Sequence, residues 1–256
     1  DISSCEFIAT LNRARDTSGW AAKKGKLPSG KGIGVGCGGF VSGAGYPIYR
    51  SDFPHSNAMI RVHEDGTGVT LHIAASGIGQ GSDTVLVQIA AEELGVPYEW
   101  VWMADCDTTL SPLDLGSYSS RVTLMGGNAV KMAAANVTAQ LREVAARELG
   151  CDPAALTAKD GRIFVKEHAS VGMDWAAAAR IAFSRQGPVV GTGCYTPPKH
   201  LGGEFKGGTV GTSPAYSFST AVAEVTVDLE TGYVTVDRFT DYSDAGTVIN
   251  PVTLHG

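Results

Sequence analysis

Hydrophobic and polar positions follow several different spacings along the chain, and each spacing predicts a type of element. Apolar residues at helical spacing predict helices, whereas alternating or short continuous apolar runs predict strands. The predicted helices are 6–15, 82–94, 129–149 and 175–183. The predicted strands are 59–63, 69–75, 100–103, 162–166, 189–195, 221–228 and 233–242. Stretches without periodicity are predicted to be loops, and these are 105–123 and 196–214.

Turn residues between these elements predict how they connect. Asp65-Gly66 and Glu230-Thr231-Gly232 are typical of hairpin turns, because glycine readily adopts the positive φ angles that such turns need. Gly95 and Gly150 are predicted to end the two longest helices. The order of elements predicts an α+β fold that combines mixed and antiparallel sheets with long helices.

Composition and charge exclude several classes of protein. The 256 residues are 43% hydrophobic and 18% charged, which is typical of a globular chain with a sizeable core. The net charge is −6, whereas a nucleic-acid-binding chain would carry a basic surface. No apolar run reaches the ~18 residues of a membrane span. The length allows one large domain or two small ones, and we expect any sub-division of residues 1–256 near 150–190.

Cysteine and histidine spacings argue against the common side-chain metal sites. The cysteines are far apart, without a Cys-x-x-Cys pair, and are Cys5, Cys37, Cys106, Cys151 and Cys194. This usage is typical of a reducing compartment, so we expect a cytoplasmic protein. The six histidines include no His-Glu-x-x-His motif and no pair four residues apart. The chain also lacks a Gly-x-Ser-x-Gly motif, which argues against a hydrolase with that nucleophile.

Residues 34–39 match the dinucleotide-binding spacing Gly-x-Gly-x-x-Gly. That motif must open a helix, but residues 40–47 are interrupted by glycine and end in proline. We therefore predict a flexible or strand-edge glycine stretch at this point.

Residues 76–82 lie between a predicted strand and the start of a long predicted helix. Three glycines allow the backbone to approach a ligand closely, and the helix start offers free N–H groups to an anion. Gln80 adds an amide that can donate and accept hydrogen bonds at once. The alternative is a tight strand-to-helix turn in which Ser82 caps the helix.

Residues 116–123 also precede a long predicted helix and contain several hydroxyl groups together with Arg121. Hydroxyls, a guanidinium and a helix N-terminus are the groups that bind a phosphate or pyrophosphate. The alternative is a solvated serine-rich loop with Arg121 pointing to water. Together, the two loops predict an anionic cofactor held at two helix N-termini.

As a pair, residues 77–81 and residues 116–123 followed by Gly126-Gly127-Asn128-Ala129 resemble the large, molybdenum-binding subunit of the xanthine dehydrogenase family of molybdenum hydroxylases. Within that family, the second loop looks most like the alpha subunits of the 4-hydroxybenzoyl-CoA reductases. The resemblance covers nearly the whole chain. It includes a C-terminal segment whose matching residues are Asp241, Asp244, Gly246, Asn250, Pro251 and Gly256.

The resemblance implies a molybdopterin-binding site in this chain. It implies that Gly79, Gln80 and Gly81 lie against the pterin, with the Gln80 amide hydrogen-bonding the oxo ligand of the metal at the catalytic centre. The residues implied to wrap the phosphate and, in bacterial enzymes, an attached cytidine diphosphate are Ser119, Ser120, Arg121, Val122 and Thr123. The pterin dithiolene, and not protein side chains, would hold the molybdenum.

The resemblance also implies a multisubunit oxidoreductase. Electrons would leave through 2Fe-2S and FAD centres in an iron–sulfur subunit and a flavin subunit. The implied substrate is a small aromatic or heteroaromatic molecule, either hydroxylated with water or, as an aromatic acyl-CoA, reductively dehydroxylated. The family's catalytic glutamate segment, Gly-x-Gly-Glu, has no match here, so we expect the remaining part of a longer large subunit to supply it. The alternative is a non-catalytic binding or assembly module with structural glycine-rich loops.

Overall fold

The computed structural model describes residues 6–201, 203–205, 208–210 and 213–255. Cys5 and Gly256 lie outside these residues. The helices are α1 (Phe7–Ser18), α2 (Trp20–Lys23), α3 (Ser82–Leu94), α4 (Gly127–Leu149), α5 (Trp175–Gln186) and α6 (Pro251–His255). Within the described part of the chain, no helix is both long enough and apolar enough to cross a lipid bilayer.

The strands form separate antiparallel and mixed sheets, which confirms the predicted α+β fold. They are β1 (Lys31–Val41), β2 (Ser56–Val62), β3 (Val69–Ile73), β4 (Val101–Met103), β5 (Leu156–Lys159), β6 (Arg162–Val165), β7 (His168–Asp174), β8 (Val190–Tyr195), β9 (Gly203–Phe205), β10 (Gly208–Val210), β11 (Tyr216–Val227) and β12 (Val234–Asp244).

Contacts within the chain divide it into two compact units. Among the described residues, one unit contains the chain up to Ser42 and Leu201–Val248. The other unit contains Gly43–His200 and the residues from Ile249 onward. The sub-division expected near residues 150–190 stays a prediction.

The first unit contains an antiparallel sheet in the order β1-β11-β12, with α1 packed against β11 and β12. β11 and β12 are the predicted hairpin, and Gly232 in its turn has a φ of 74°. β1 is an edge strand that includes the whole glycine run 34–39. This confirms a strand edge there, since a run inside a strand cannot open the helix that a dinucleotide fingerprint needs.

Two strands in the first unit were missed from the sequence. The predicted loop 196–214 is wrong in part, because β9 and β10 pair antiparallel within it. Each is only three residues long, which is too short for an alternating pattern to appear.

The second unit contains a four-stranded sheet in the order β4-β3-β2-β8. β2 and β3 form the predicted hairpin, with Ile60 opposite Leu71, and β4 runs parallel to β3. The side chains of Ile60, Leu71, Leu86 and Leu141 are fully buried, because α3 and α4 cover the sheet. This packing positions the N-termini of both helices, which follow the two loops singled out in the sequence.

Close contact between α4 and β8 depends on glycine. A Cβ atom added at Gly193 would lie 2.0 Å from the carbonyl oxygen of Ala129, and one at Gly191 would lie 2.3 Å from that of Ala133. Such distances are far inside van der Waals contact, so only glycine lets the helix backbone rest directly on the strand. The start of α4 is therefore held rigidly against the sheet.

The second sheet of the second unit has the order β5-β6-β7 and lies beside α5. The predicted strand 162–166 corresponds to β6, and the predicted helix 175–183 extends to Gln186. Trp175 is fully buried at the start of α5. Its side chain therefore joins this sheet and α5 to the core of the unit.

Candidate functional site

The first loop, residues 76–82, and the second loop, residues 116–123, lie next to each other in the second unit. The hydroxyl of Ser117 donates a hydrogen bond of 2.6 Å to the backbone carbonyl of Ser76. Between the loops lies a cavity of about 410 Å³, which is the size of a small-molecule site. It is lined by Ile78, Gln80, Ser82, Val85, Ser117, Tyr118, Ser119, Ser120, Arg121, Val122 and Thr123. The structure thus brings Gln80 and Arg121 to one cavity.

The first loop closes on itself through the side chain of Gln80. Its Oε1 accepts a hydrogen bond of 2.6 Å from the N–H of Ile78, and its Nε2 donates one of 3.0 Å to Ser82 Oγ. Gly79 and Gly81 have φ angles of 96° and 74°, which favour glycine. These two glycines do not line the cavity themselves, but they shape the turn that places Gln80 there.

α3 begins directly after this loop. The residue before its first turn is Gly81, and no described side chain caps the helix. Ser82 is the first helical residue, and its hydroxyl accepts from Gln80, so the interpretation of Ser82 as the cap is wrong. N–H groups at a helix start carry a partial positive charge that favours an anion.

The second loop contains two consecutive residues in a strained conformation. Ser119 and Ser120 both have a φ of 51°, whereas Arg121 is right-handed with a φ of −93°. Successive N–H groups in such a turn can form a concavity that binds anions. The loop continues into a π-helical turn, Val122–Gly126, before α4 starts. Turns of this kind occur frequently at functional sites.

Arg121 is buried, with 1% of its surface exposed, so the interpretation of an arginine pointing to water is wrong. Its Nη1 lies 2.7 Å from Asp114 Oδ1 and also donates to the carbonyl of Gly116. Its Nη2 donates to the carbonyl of His55 and, over 3.0 Å, to Ser56 Oγ. Nε approaches the sulfur of Met125 at 3.4 Å.

These contacts account for all five N–H donors of the guanidinium. The guanidinium–phosphate contact that the family resemblance implied stays a prediction, and it would compete with these protein contacts. Arg121 borders the cavity while its charged group binds protein atoms instead.

His55 lies fully buried behind Arg121. Its ring stacks on Tyr46 with centroids 6.2 Å apart, and neither ring nitrogen has a hydrogen-bond partner among the described residues. Burial, and after it the positive charge of Arg121, lower the pKa of His55 below its usual range. The Tyr49 backbone and the Asp114 carboxylate act in the opposite direction but do not cancel this shift. These surroundings therefore favour the neutral form of His55 over the charged form.

The C-terminal motif is divided between the two units. Asp241 accepts hydrogen bonds from Ser219 and Ser243 in the first unit. Asn250 donates a hydrogen bond of 3.2 Å to Gln88 Oε1 on α3 in the second unit. A Cβ added at Gly81 would lie 3.4 Å from Thr253 Cγ2. The Asn-Pro part of the motif thus lies against α3 and the first loop.

Sequence reasoning missed His55 and Ser56 as neighbours of the site. Both are more than 60 residues from Arg121, and they lie where β2 begins, in a stretch without a recognisable motif. Asp114 lies in the same predicted loop as Arg121, but a loop without periodicity gives no signal for which of its side chains pair. Within the described ranges, no cluster of three or more His, Cys, Asp or Glu side chains could hold a metal ion.

Residues 12–256 match the family model described as the molybdopterin cofactor-binding domain. Over 260 residues, the chain is 30% identical to the gamma subunit of the 6-hydroxypseudooxynicotine dehydrogenase complex of Paenarthrobacter nicotinovorans, covering 100% of this chain and 31% of that protein. It is 28% identical over 260 residues to the probable hypoxanthine oxidase XdhD of Escherichia coli strain K12, covering 97% of this chain and 24% of the relative.

The fold is also similar to solved structures. The crystal structure of quinoline 2-oxidoreductase from Pseudomonas putida 86 has a TM-score of 0.82 and 24% sequence identity, over 98% of this chain and 32% of the other. The chain spans about a quarter to a third of the length of the curated relatives named above.

Proposed function

Because the chain belongs to the molybdopterin cofactor-binding domain family, we propose that the cavity between residues 76–82 and 116–123 is its molybdopterin site. The observation that carries this proposal is the meeting of the two loops, 41 residues apart at the Ser117–Ser76 hydrogen bond, around one cavity at the start of α3. The first loop leads directly into α3, and the second leads into the π-helical turn Val122–Gly126 ahead of α4, so each ends at a helical N-terminus whose N–H groups suit an anionic ligand.

The donor groups at the cavity suit a phosphate-bearing ligand. The hydroxyl-bearing residues Ser119, Ser120 and Thr123 line it, and the strained turn at Ser119 and Ser120 adds backbone N–H groups. Asp114, a carboxylate close to this turn, is buried and paired with Arg121. The cavity therefore offers donors to an anion while that negative charge is already compensated.

We assign the individual roles on this basis. Ser119, Ser120, Val122 and Thr123 bind the phosphate of the cofactor, which we propose to be the cytosine dinucleotide form with molybdenum held by the pterin dithiolene. Gly79 and Gly81 let the first loop approach the pterin. When bound, the cofactor supplies two-electron redox chemistry at its molybdenum.

Gln80 is proposed as the residue of this chain that acts at the reacting centre. Its amide now bonds Ile78 and Ser82, so it is held at the cavity in one orientation. An amide can donate to an electron-rich ligand and accept from a substrate N–H or O–H at once. Gln80 would thus orient a substrate without taking its proton.

For the whole protein, we propose an oxidoreductase large subunit that oxidises a heteroaromatic molecule. The relatives named for 6-hydroxypseudooxynicotine and hypoxanthine support this class, and their names describe oxidation. We therefore favour hydroxylation with water over the reductive dehydroxylation of an aromatic acyl-CoA suggested by the likeness to 4-hydroxybenzoyl-CoA reductase. The relative described as a complex subunit supports assembly with other subunits, for which we propose a 2Fe-2S subunit and an FAD subunit in the cytoplasm.

Metal and nucleotide analysis tests the proposal. The protein, purified with the rest of its polypeptide, should contain about one molybdenum per chain and release an equal amount of cytidine monophosphate on acid hydrolysis. A folded protein with neither would instead favour the non-catalytic assembly module. Molybdenum without cytidine monophosphate would keep the site but reject the dinucleotide.

A further inference from the structure

We propose that Asp114 and Arg121 are positioning residues, and that their buried ion pair holds the second loop in its cofactor-binding shape without touching the cofactor. This inference rests on the proposed function of the cavity. It departs from the role implied by the family resemblance, in which Arg121 itself wraps the phosphate.

The guanidinium of Arg121 is fully engaged by protein groups. All of its N–H donors are engaged by Asp114, Gly116, His55, Ser56 and Met125. These groups come from the loop itself, from the start of β2 and from the π-helical turn. Arg121 therefore ties three segments of the chain together, and a phosphate could reach the guanidinium only by breaking some of these bonds.

The carboxylate of Asp114 is buried and only partly hydrogen-bonded. Its side chain is fully buried, and its Oδ1 accepts from both Arg121 and the N–H of Gly116. Its Oδ2 has no hydrogen-bond partner among the described residues. A buried ion pair with an unsatisfied oxygen is a poor source of stability, because desolvation offsets the attraction. Its geometric effect on the loop is therefore the better explanation for it.

Backbone hydrogen bonds next to the ion pair fix the second loop. The carbonyl of Tyr118 accepts from the N–H of Arg121, and the carbonyl of Ser119 accepts from the N–H of Gly43. These two carbonyl oxygens of the loop are thus engaged by N–H groups. A second tie comes from Leu115, whose N–H donates to the same His55 carbonyl that Arg121 binds. The strained φ angles of Ser119 and Ser120 persist because the surrounding bonds fix them.

The two possible roles of Arg121 predict opposite effects of Asp114→Asn. If the guanidinium binds phosphate directly, removing the neighbouring negative charge should leave anion binding unchanged or strengthen it. If the pair positions the loop, the same change should weaken binding, because the amide cannot compensate the buried guanidinium.

The test uses the full chain without cofactor, inorganic pyrophosphate as the probe, and amide hydrogen exchange together with serine ¹⁵N chemical shifts as readouts. Asp114→Asn should increase exchange in residues 116–121 at least about 10-fold, leave the exchange of α4 unchanged, and weaken pyrophosphate binding about 10-fold. Arg121→Lys should behave in the same way, since lysine cannot reproduce the planar fork of donors. Glu64→Gln is the matched control, because it removes a carboxylate from the exposed ion pair with Arg61.

Pyrophosphate binding by Asp114→Asn as tight as that of the wild type would overturn the proposal. So would retention of binding by Arg121→Lys. If Asp114→Asn fails to fold, Ser56→Ala decides, because it removes one acceptor of the guanidinium without changing charge. Wild-type exchange and binding in Ser56→Ala would then reject positioning, whereas faster exchange confined to residues 116–121 supports it. Loop exchange is measured without cofactor, so a molybdenum-free wild type contradicts only the proposed function.

Discussion

The hydroxyl of Ser117 lies 2.6 Å from the backbone carbonyl oxygen of Ser76, and this hydrogen bond joins two loops that are 41 residues apart. Each loop leads toward its own helix, α3 or α4. The width of the cavity between them depends on this contact, since it spans the gap directly.

Ser117→Ala should therefore loosen the two loops and reduce the retention of molybdenum. Loss of a hydrogen bond that contributes about 1 kcal/mol corresponds to a cofactor affinity that is roughly five-fold lower. Molybdenum content after extended dialysis measures the effect. Ser184→Ala is the matched control, because Ser184 also donates to a backbone carbonyl, on α5. Equal retention in both variants would contradict the bridging role.

Gln80→Ala should keep the cofactor and lower turnover. The side chain supplies an amide to the cavity, whereas the helix N-termini and hydroxyls that we assign to phosphate binding remain. We expect molybdenum content within about 20% of wild type and a kcat reduced about 100-fold, at the lower end of the range for loss of one oriented donor. Gln186→Ala, at the end of α5, serves as control. Wild-type kcat in the Gln80 variant would remove this residue from the reacting centre.

Arg121→Ala should lower the free energy of unfolding and should also reduce the occupancy of the cofactor site. Removing one partner of a buried pair leaves Asp114 uncompensated, which costs about 3–5 kcal/mol. Urea denaturation should show this loss, together with a lower molybdenum content. The double variant Asp114→Ala/Arg121→Ala should be less destabilised than the sum of the two single variants. Strict additivity would mean that the two side chains do not interact.

Acidification should destabilise the second unit through His55. Its pKa is lowered in the folded state, so below about pH 6.5, the usual pKa of histidine, the unfolded chain binds more protons than the folded one. The contribution of His55 to the free energy of unfolding should therefore be fully present above that pH and should decrease as the pH drops toward 5. The charged groups near the ring are Arg121 and Asp114, and Lys199 lies over the other stacking partner, Tyr46.

His55→Phe keeps the stack on Tyr46 and removes the titrating group, so its unfolding free energy should vary less between pH 7 and pH 5 than that of the wild type. His168→Phe, at an exposed position on β7, is the control and should keep the wild-type slope. Identical slopes in wild type and His55→Phe would show that His55 does not cause the pH dependence.

The pattern of apolar residues predicted those helices and strands whose start, period and end all lie within one continuous segment. Residues 82–94 were predicted as a helix and α3 has these bounds, because apolar periodicity and the following Gly95 both act locally. The hairpin of β11 and β12 was predicted for the same reason. β1 was not predicted as a full strand, since its alternating glycines carry no side chains and therefore show no period.

The sequence by itself determined that two glycine- and serine-containing loops precede long helices, because residue type and order specify turns and helix starts. Only the tertiary structure decided that these loops meet, that Arg121 is buried against Asp114, and that His55 and Ser56 complete its surroundings. The physical reason is that α3 and α4 pack on one sheet, and that packing brings distant segments within hydrogen-bond distance. Contacts between residues so far apart in the chain leave no trace in local spacing.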